Sequence, residues 1–270
     1  MRLRVVLMGR KPGSARALEH LLRRGHQVTV AVSSDAEDPP GRSLLQAAAG
    51  EAGIPVWRDE QVYERLSRAP LEPELNDIDL VISYLHRRRI RPPLISLPRI
   101  GCFNFHPAPL PELRGVGGYN FAILEGRTQY GVSVHWVAPE IDAGDLVRVR
   151  RFPIRPEQET ACSLERKAQA ELWTLFEEFI EMVEAGRPVP RVPQGPGRYI
   201  SRAEMLAAMR VDPRDPAELI ERKARAFWFP PHQGAYVEVD GRRFTLAPDL
   251  GLVQLAEALA EHSALAGRLT

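Results

Sequence analysis

An α/β fold, a mostly parallel sheet with flanking helices and a small α+β appendage, follows from three features of the chain. Short apolar runs alternate with amphipathic segments through the first half, turn-forming residues separate them, and a proline-rich stretch precedes a hairpin and a final helix. Leu3 to Met8 is an apolar strand, and Ala15 to Arg24 is a helix with Ala17, Leu18, Leu21 and Leu22 on one side. Gln27 to Val32 is a second strand, Ser43 to Ala52 a helix before Ile54-Pro55-Val56, and Ile78 to Ser83 a further buried strand. Strand and helix in this alternation make a Rossmann-like sheet with crossover helices.

Gly101 to His106 reads as another buried strand, short, apolar and aromatic, closed by Pro107, Pro109 and Pro111. Strand side chains alternate, so Asn104 and His106 share one face while Phe103 and Phe105 share the other. Two polar groups then point the same way at the carboxyl end of a strand, where open α/β sheets bind ligands. Gln129 to Val137 is apolar and β-branched, and the loop from Pro139 carries Asp142 to an end of the sheet, with Gly144 allowing a close approach.

Thr160 to Glu184 places Leu164, Ala168, Leu172, Leu175, Phe176, Phe179 and Met182 at spacings of three and four, a long helix with one buried face. Pro188, Pro190, Pro193 and Pro196 then mark a stiff connection. Beyond it Ser201 to Met209 and Pro216 to Ala226 are helices, the first capped by Ser201 with Glu204 three residues on. Ala235 to Val239 and Arg242 to Leu246 flank Asp240-Gly241, a two-residue hairpin signal, and Leu252 to Leu265 is an amphipathic helix. The expected division is a catalytic domain over 1–190, a linker over 191–200 and a small C-terminal domain over 201–270.

The 270 residues carry 36 basic and 35 acidic side chains, a net charge of +1, so no global field gathers nucleic acid or membrane. Lysine occurs only at Lys11, Lys167 and Lys223, and the positive charge is otherwise arginine. Cys102 and Cys162 make no disulfide framework, no ligand cluster suggests a metal, and no long apolar run or leader pattern appears, which together point to the cytoplasm. Gly9-Arg10-Lys11-Pro12-Gly13 after the first strand lacks the dinucleotide fingerprint, so a nicotinamide cofactor is not expected.

An amide, an imidazole and a carboxylate, Asn104, His106 and Asp142, are the groups that stabilise an oxyanion, move a proton and hold the imidazole in its useful state. They form a catalytic set for acyl transfer. Three segments make the chain resemble the tetrahydrofolate-dependent formyltransferase family: Asn104-Phe105-His106, the loop Ala108-Pro109-Leu110-Pro111-Glu112-Leu113-Arg114-Gly115, and Gly131-Val132-Ser133-Val134-His135 followed by Asp142-Ala143-Gly144. The resemblance covers roughly residues 1–190 and implies transfer of a formyl group from 10-formyltetrahydrofolate to a primary amine, with Asn104, His106 and Asp142 as the family's triad. His106 serves either as general base or, protonated, as a second oxyanion donor. His135, also in the family pattern, is either a core histidine or a supporting group near the acceptor.

The resemblance further makes Leu85 to Ile90, acting largely through backbone groups, one wall of the folate site, naming Leu85, His86, Arg88 and Ile90, and the loop with Glu140 and Ile141 the other. Arg114, Tyr119 and Asn120, in the loop after the His106 strand, are the candidates for contacting the acceptor, with Arg114 equally a clamp on the turn. A nucleotide-linked amino sugar is the preferred acceptor by elimination. The tRNA enzymes of the family carry a basic insertion after the second strand and a full C-terminal barrel, whereas Ser33 to Gly41 is short and acidic here and only a short segment follows Phe227-Trp228-Phe229. Methionyl-tRNA, a small amine metabolite and a non-catalytic nucleotide-binding module stand as alternatives. Tyr236, Val237 and Phe244, with little chain left to cover them, suggest homodimerisation through the C-terminal segment.

Overall fold

The computed structural model describes residues 1–33 and 44–266. The acidic loop expected from Asp35 to Pro40 and the helix start expected at Ser43 lie outside them. In chain order the regular elements are β1 (Arg4–Gly9), α1 (Pro12–Arg23), β2 (Gln27–Val32), α2 (Leu44–Glu51), β3 (Val56–Trp57), α3 (Asp59–Leu66), β4 (Leu80–Tyr84), β5 (Gly101–His106), β6 (Arg114–Gly115) and α4 (Gly118–Leu124). Next come β7 (Gln129–Trp136), β8 (Leu146–Pro153), α5 (Ala161–Glu184), β9 (Tyr199–Ile200), α6 (Arg202–Ala208), α7 (Ala217–Ala226), β10 (Tyr236–Val239), β11 (Arg242–Thr245) and α8 (Asp249–Ala266). Seven strands form one sheet in the order β3-β2-β1-β4-β5-β7-β8. The first five are parallel neighbours, and β7 joins β5 antiparallel.

Packing groups the chain into two compact units that interleave along the sequence. One comprises 1–114, 131–150 and 169–198, the other 115–130, 151–168 and 199–270.

In the first unit the sheet is buried on both faces, which is why its strands read as continuous apolar runs. One face gathers Val6, Met8, Val30, Val32, Trp57, Val62, Val81 and Cys102 into a core cluster. On the other, Phe103 and Phe105 meet α5, with Phe103–Phe179 ring centroids 4.8 Å apart and Phe105–Phe176 5.2 Å apart. Tyr84 stacks on Phe105 at 5.6 Å. Each buried aromatic ring stabilises the layer by about 2–3 kcal/mol, so this face fixes the side on which Asn104 and His106 must emerge. At the sheet edge β8 alternates its arginines outward, and Arg150 pairs with Glu171 at 2.5 Å and Glu178 at 3.0 Å, while Arg148 pairs with Glu178 at 3.1 Å.

In the second unit α4 packs with α7, and the Asn120 amide donates to the Ala226 carbonyl at the end of α7 (2.7 Å). Arg225, buried, donates to the Glu159 carbonyl at 3.1 Å. Ser201 caps α6 by accepting the Glu204 N–H at 3.1 Å, as its sequence pattern predicts. The hairpin forms with Asp240 and Gly241 both left-handed, φ 48° and 74°, the backbone that an Asp-Gly turn adopts.

Candidate functional site

Three neighbouring strands build the polar face. In the parallel β4–β5 register Ser83 lies beside Asn104, and in the antiparallel β5–β7 register Asn104 faces His135 while His106 faces Ser133. The antiparallel partner therefore puts His135 opposite the triad amide. The Ser83 hydroxyl donates to Asn104 Oδ1 at 2.6 Å, leaving Nδ2 to donate to His135 Nε2 at 3.1 Å and, more weakly, to Asp142 Oδ1 at 3.4 Å. His135 Nδ1 donates to its neighbour's carbonyl, Trp136 O, at 2.8 Å, which fixes the tautomer with Nε2 as the acceptor. His135 is thus bonded to backbone, as expected of a core histidine, and also accepts from the Asn104 amide.

His106 is 7% exposed. Its Nε2 lies 3.0 Å from the Leu113 carbonyl oxygen and donates to it, so Nδ1 is the nitrogen that faces Asp142 Oδ2, at 3.6 Å. The loop after β5 is pinned by Ser133, whose hydroxyl donates to Ala108 O at 2.8 Å and accepts the Leu110 N–H at 3.0 Å. Asp142 arrives on a loop with a left-handed backbone, φ 52°. Gly144 lets that loop close onto β7: a Cβ there would lie 1.8 Å from the Trp136 carbonyl oxygen. Asn104, His106 and Asp142 are brought together as the sequence predicts, and Ser83 is a member that sequence reasoning missed. The signal was a lone hydroxyl ending a buried apolar strand.

The two expected walls are joined by one bond, Arg89 Nε donating to Pro139 O at 2.7 Å. Leu85 turns the chain out of β4 with φ 57°, a conformation uncommon for leucine that marks a constrained position. Arg88, Glu140 and Ile141 are exposed. Two side chains of the first wall face inward. His86 turns inward, its fully buried ring 2.6 Å from Asp59 Oδ1, and Ile90 is 5% exposed within the core cluster beneath the sheet. The His86 ring is thus held by Asp59 and the Ile90 side chain by the core, and both point away from the outer surface of the segment.

The acceptor candidates are also redistributed. Arg114 is a clamp: its guanidinium donates to Gln194 Oε1 at 2.9 and 3.1 Å and to Gly195 O at 3.1 Å. Tyr119 and Asn120 belong to α4 in the second unit, where the Asn120 amide is engaged by the Ala226 carbonyl and Tyr119 packs against Tyr130 at 5.8 Å. Among the described residues no group of three or more His, Cys, Asp or Glu side chains is placed to hold a metal ion, and no helix is long and apolar enough to cross a membrane.

A doubly covered sheet of this order, with an amide, two imidazoles and a carboxylate gathered at strand ends, has the layout of an α/β group-transfer enzyme. The model of the formyl transferase family matches residues 1–178. The chain belongs to that family and is a formyltransferase. It is similar to methionyl-tRNA formyltransferase from Acidothermus cellulolyticus, 30% identical over 263 residues that cover 94% of this chain and 78% of the relative, and to that from Moorella thermoacetica, 28% identical over 90% and 78%. Among solved structures it resembles the N-formyltransferase from Helicobacter canadensis in complex with folinic acid and dTDP-3-aminofucose, with a TM-score of 0.70 and 21% identity over 90% of this chain and 86% of that one. A 4-N formyltransferase from Francisella tularensis gives a TM-score of 0.75 and 16% identity over 91% and 96%.

Proposed function

We propose that this formyltransferase moves the formyl group of 10-formyltetrahydrofolate to the primary amine of a nucleotide-linked amino sugar. The observation that carries the reading is the convergence of Asn104 Nδ2 and His106 Nδ1, both from β5, on the carboxylate of Asp142 in the loop after β7, at 3.4 and 3.6 Å. That donor set suits a formyl carbonyl. The donor, when bound, supplies an electrophilic carbon on a good leaving nitrogen, and the residues of this chain do the remainder.

Asn104 already gives one amide hydrogen to His135, and the hydrogen held by the long 3.4 Å contact to Asp142 is the one free to turn to the acyl oxygen as negative charge builds there. One such donor is worth about 3 kcal/mol in acyl transfer. Because Nε2 of His106 is anchored on Leu113, a proton leaving the attacking amine is taken or relayed at Nδ1, beside Asp142. Leu85 to Ile90 and the Glu140–Ile141 loop would hold the folate, with Leu85 and Arg88 as the side chains able to contact it and His86 and Ile90 contributing backbone.

The amino-sugar acceptor is supported by the likeness in fold to enzymes such as that from Helicobacter canadensis. A second acceptor, methionyl-tRNA, is favoured by the sequence relatives, which match over most of this chain. Incubation with 10-formyltetrahydrofolate and a panel of amines, reading tetrahydrofolate release, separates them. Release with a nucleotide-linked amino sugar is expected; release with methionyl-tRNA alone moves the acceptor to the second reading, and release with no acceptor at all describes a hydrolase. The homodimer through the C-terminal segment belongs to the same proposal; of the residues expected to lie uncovered there Tyr236 is buried and Val237 half-buried, while Phe244 is 53% exposed, and light scattering that gives a monomer would remove the dimer.

A further inference from the structure

The segment 189–198, whose composition marks it as a linker, is built as a strap against the loop after β5 and the loop after β7 that carries Asp142. Val192 bridges Leu146 with backbone bonds of 2.7 and 3.0 Å, and the Trp136 indole donates to Pro190 O at 2.8 Å. Arg191 lies over the Trp136 ring at 4.2 Å and pairs with Asp145 at 3.1 Å. Gly197 sits so close to the other loop that a Cβ would come within 2.0 Å of the Pro111 carbonyl oxygen.

At the centre is Gln194. Its Nε2 donates to the backbone carbonyls of Asp142, at 3.0 Å, and Gly144, at 2.5 Å, while its Oε1 accepts both guanidinium bonds of Arg114. A primary amide is suited to this because it offers two donor hydrogens and an acceptor oxygen on one planar group. Arg114 directly follows Leu113, whose carbonyl holds His106 Nε2. One side chain therefore connects the mount of Asp142 to the mount of His106. The need for such a connection is visible in Asp142 itself, whose left-handed backbone persists when its surroundings impose it.

We infer that Gln194 is a positioning residue for formyl transfer: by tying the Asp142 loop to Arg114 it sets the separation of His106 and Asp142. The inference rests on the reading of Asn104, His106 and Asp142 as the catalytic set. A displacement of about 1 Å in such a constellation costs on the order of 100-fold in rate.

The test compares kcat, KM and the pH dependence of kcat in Gln194→Ala, Gln194→Glu, Asp142→Ala and the Asp142→Ala/Gln194→Ala double variant, with thermal unfolding measured alongside. Gln194→Ala is expected to lower kcat by about 10- to 100-fold, with KM for donor and acceptor changed less than about twofold, and to move the pH profile in the direction seen in Asp142→Ala. The double variant should be no slower than Asp142→Ala, because a residue acting through Asp142 has nothing left to act on. Gln194→Glu, near in size but without hydrogens for the two carbonyls, should resemble Gln194→Ala, and it serves as the reporter if the alanine variant does not fold. Wild-type kcat in Asp142→Ala would overturn the triad reading itself. Loss in Asp142→Ala with kcat retained in the Gln194 variants, losses that multiply in the double variant, or a lowered melting temperature with an unmoved pH profile would overturn the positioning role and leave the triad standing.

Discussion

Two histidine–carboxylate clusters occupy the same α/β unit and do different things. At the carboxyl end of β5, His106 and His135 share Asp142 with Asn104. At the amino ends of β1 and β2, His26 accepts the Leu3 N–H at 3.3 Å and faces Glu184 at 2.8 Å, with Arg24 held on the same carboxylate. Nearby His20 lies edge-on to Trp173 at 5.4 Å. Burial pushes the pKa of both His20 and His26 down, and it outweighs the carboxylates beside them. The pairing of imidazole with carboxylate is thus common to scaffold and site. What separates them is the company: only the first cluster includes an amide donor and a glycine-dependent loop at the end of the sheet where ligands enter.

The largest effect should come from the first cluster. His106→Ala and Asp142→Ala are expected to lose most formyl transfer while remaining folded by circular dichroism, and Asn104→Ala to lose about 100-fold or more in kcat with little change in KM. Near-normal turnover in any one of them would reduce that residue to the standing of His26. Gly144→Ala sharpens the comparison from the backbone side. Its methyl would meet the Trp136 carbonyl oxygen at 1.8 Å, so the loop must shift, and a stability loss of about 1–3 kcal/mol in urea together with a fall in kcat is expected. An active, fully stable alanine variant would mean that the loop has room to spare.

The second cluster should show itself in stability. Burial lowers the pKa of His20 and His26 in the folded protein, so as pH falls below the ordinary imidazole value of 6.5 the unfolded chain binds more protons than the folded one. Their contribution is complete above that value and drains away as pH falls through the lowered folded-state values. Glu184, held down chiefly by its hydrogen bond from Arg24, adds a loss of the same sign at lower pH. Melting temperature should therefore decline below about pH 6.5, by ~2–4 °C for each kcal/mol, and less steeply in His26→Gln, while kcat at neutral pH stays unchanged. The smallest effect is expected at the folate walls. Arg88→Ala should weaken folate-analogue binding by about 1 kcal/mol or less, as an exposed charge does, and Leu85→Glu by more; unchanged affinity in both would misplace that wall.

How far the sequence spoke depended on which interactions each residue answers to. Strands β1, β2, β4 and β5 are continuous apolar runs because both sheet faces are covered, and that pattern is local. Asn104 and His106 were placed on one face by alternation alone. Asp142 joined them as the carboxylate such chemistry needs on a loop at an end of the sheet, and the resemblance made the set specific, since a helix and an antiparallel strand intervene between it and His106. His86 and Ile90 show how a segment expected to line a site through its backbone can give its side chains to the core. Asn120 misled because α4, short and rich in aromatic residues, reads as loop. Gln194 was illegible: a polar residue among prolines and glycines carries no periodicity, and its importance lies entirely in three partners distant in sequence.

The outward arginines of β8 have a consequence beyond holding α5. An edge strand presents unpaired backbone groups to any other sheet that approaches, and hydrated charged side chains along it make that approach unfavourable. The Val192 bridge covers the first residue of this edge at Leu146, and Arg148 and Arg150, already answered by glutamates of their own chain, guard the stretch beyond it. Resistance to aggregation is thus written into the same margin of the sheet from which the strap departs.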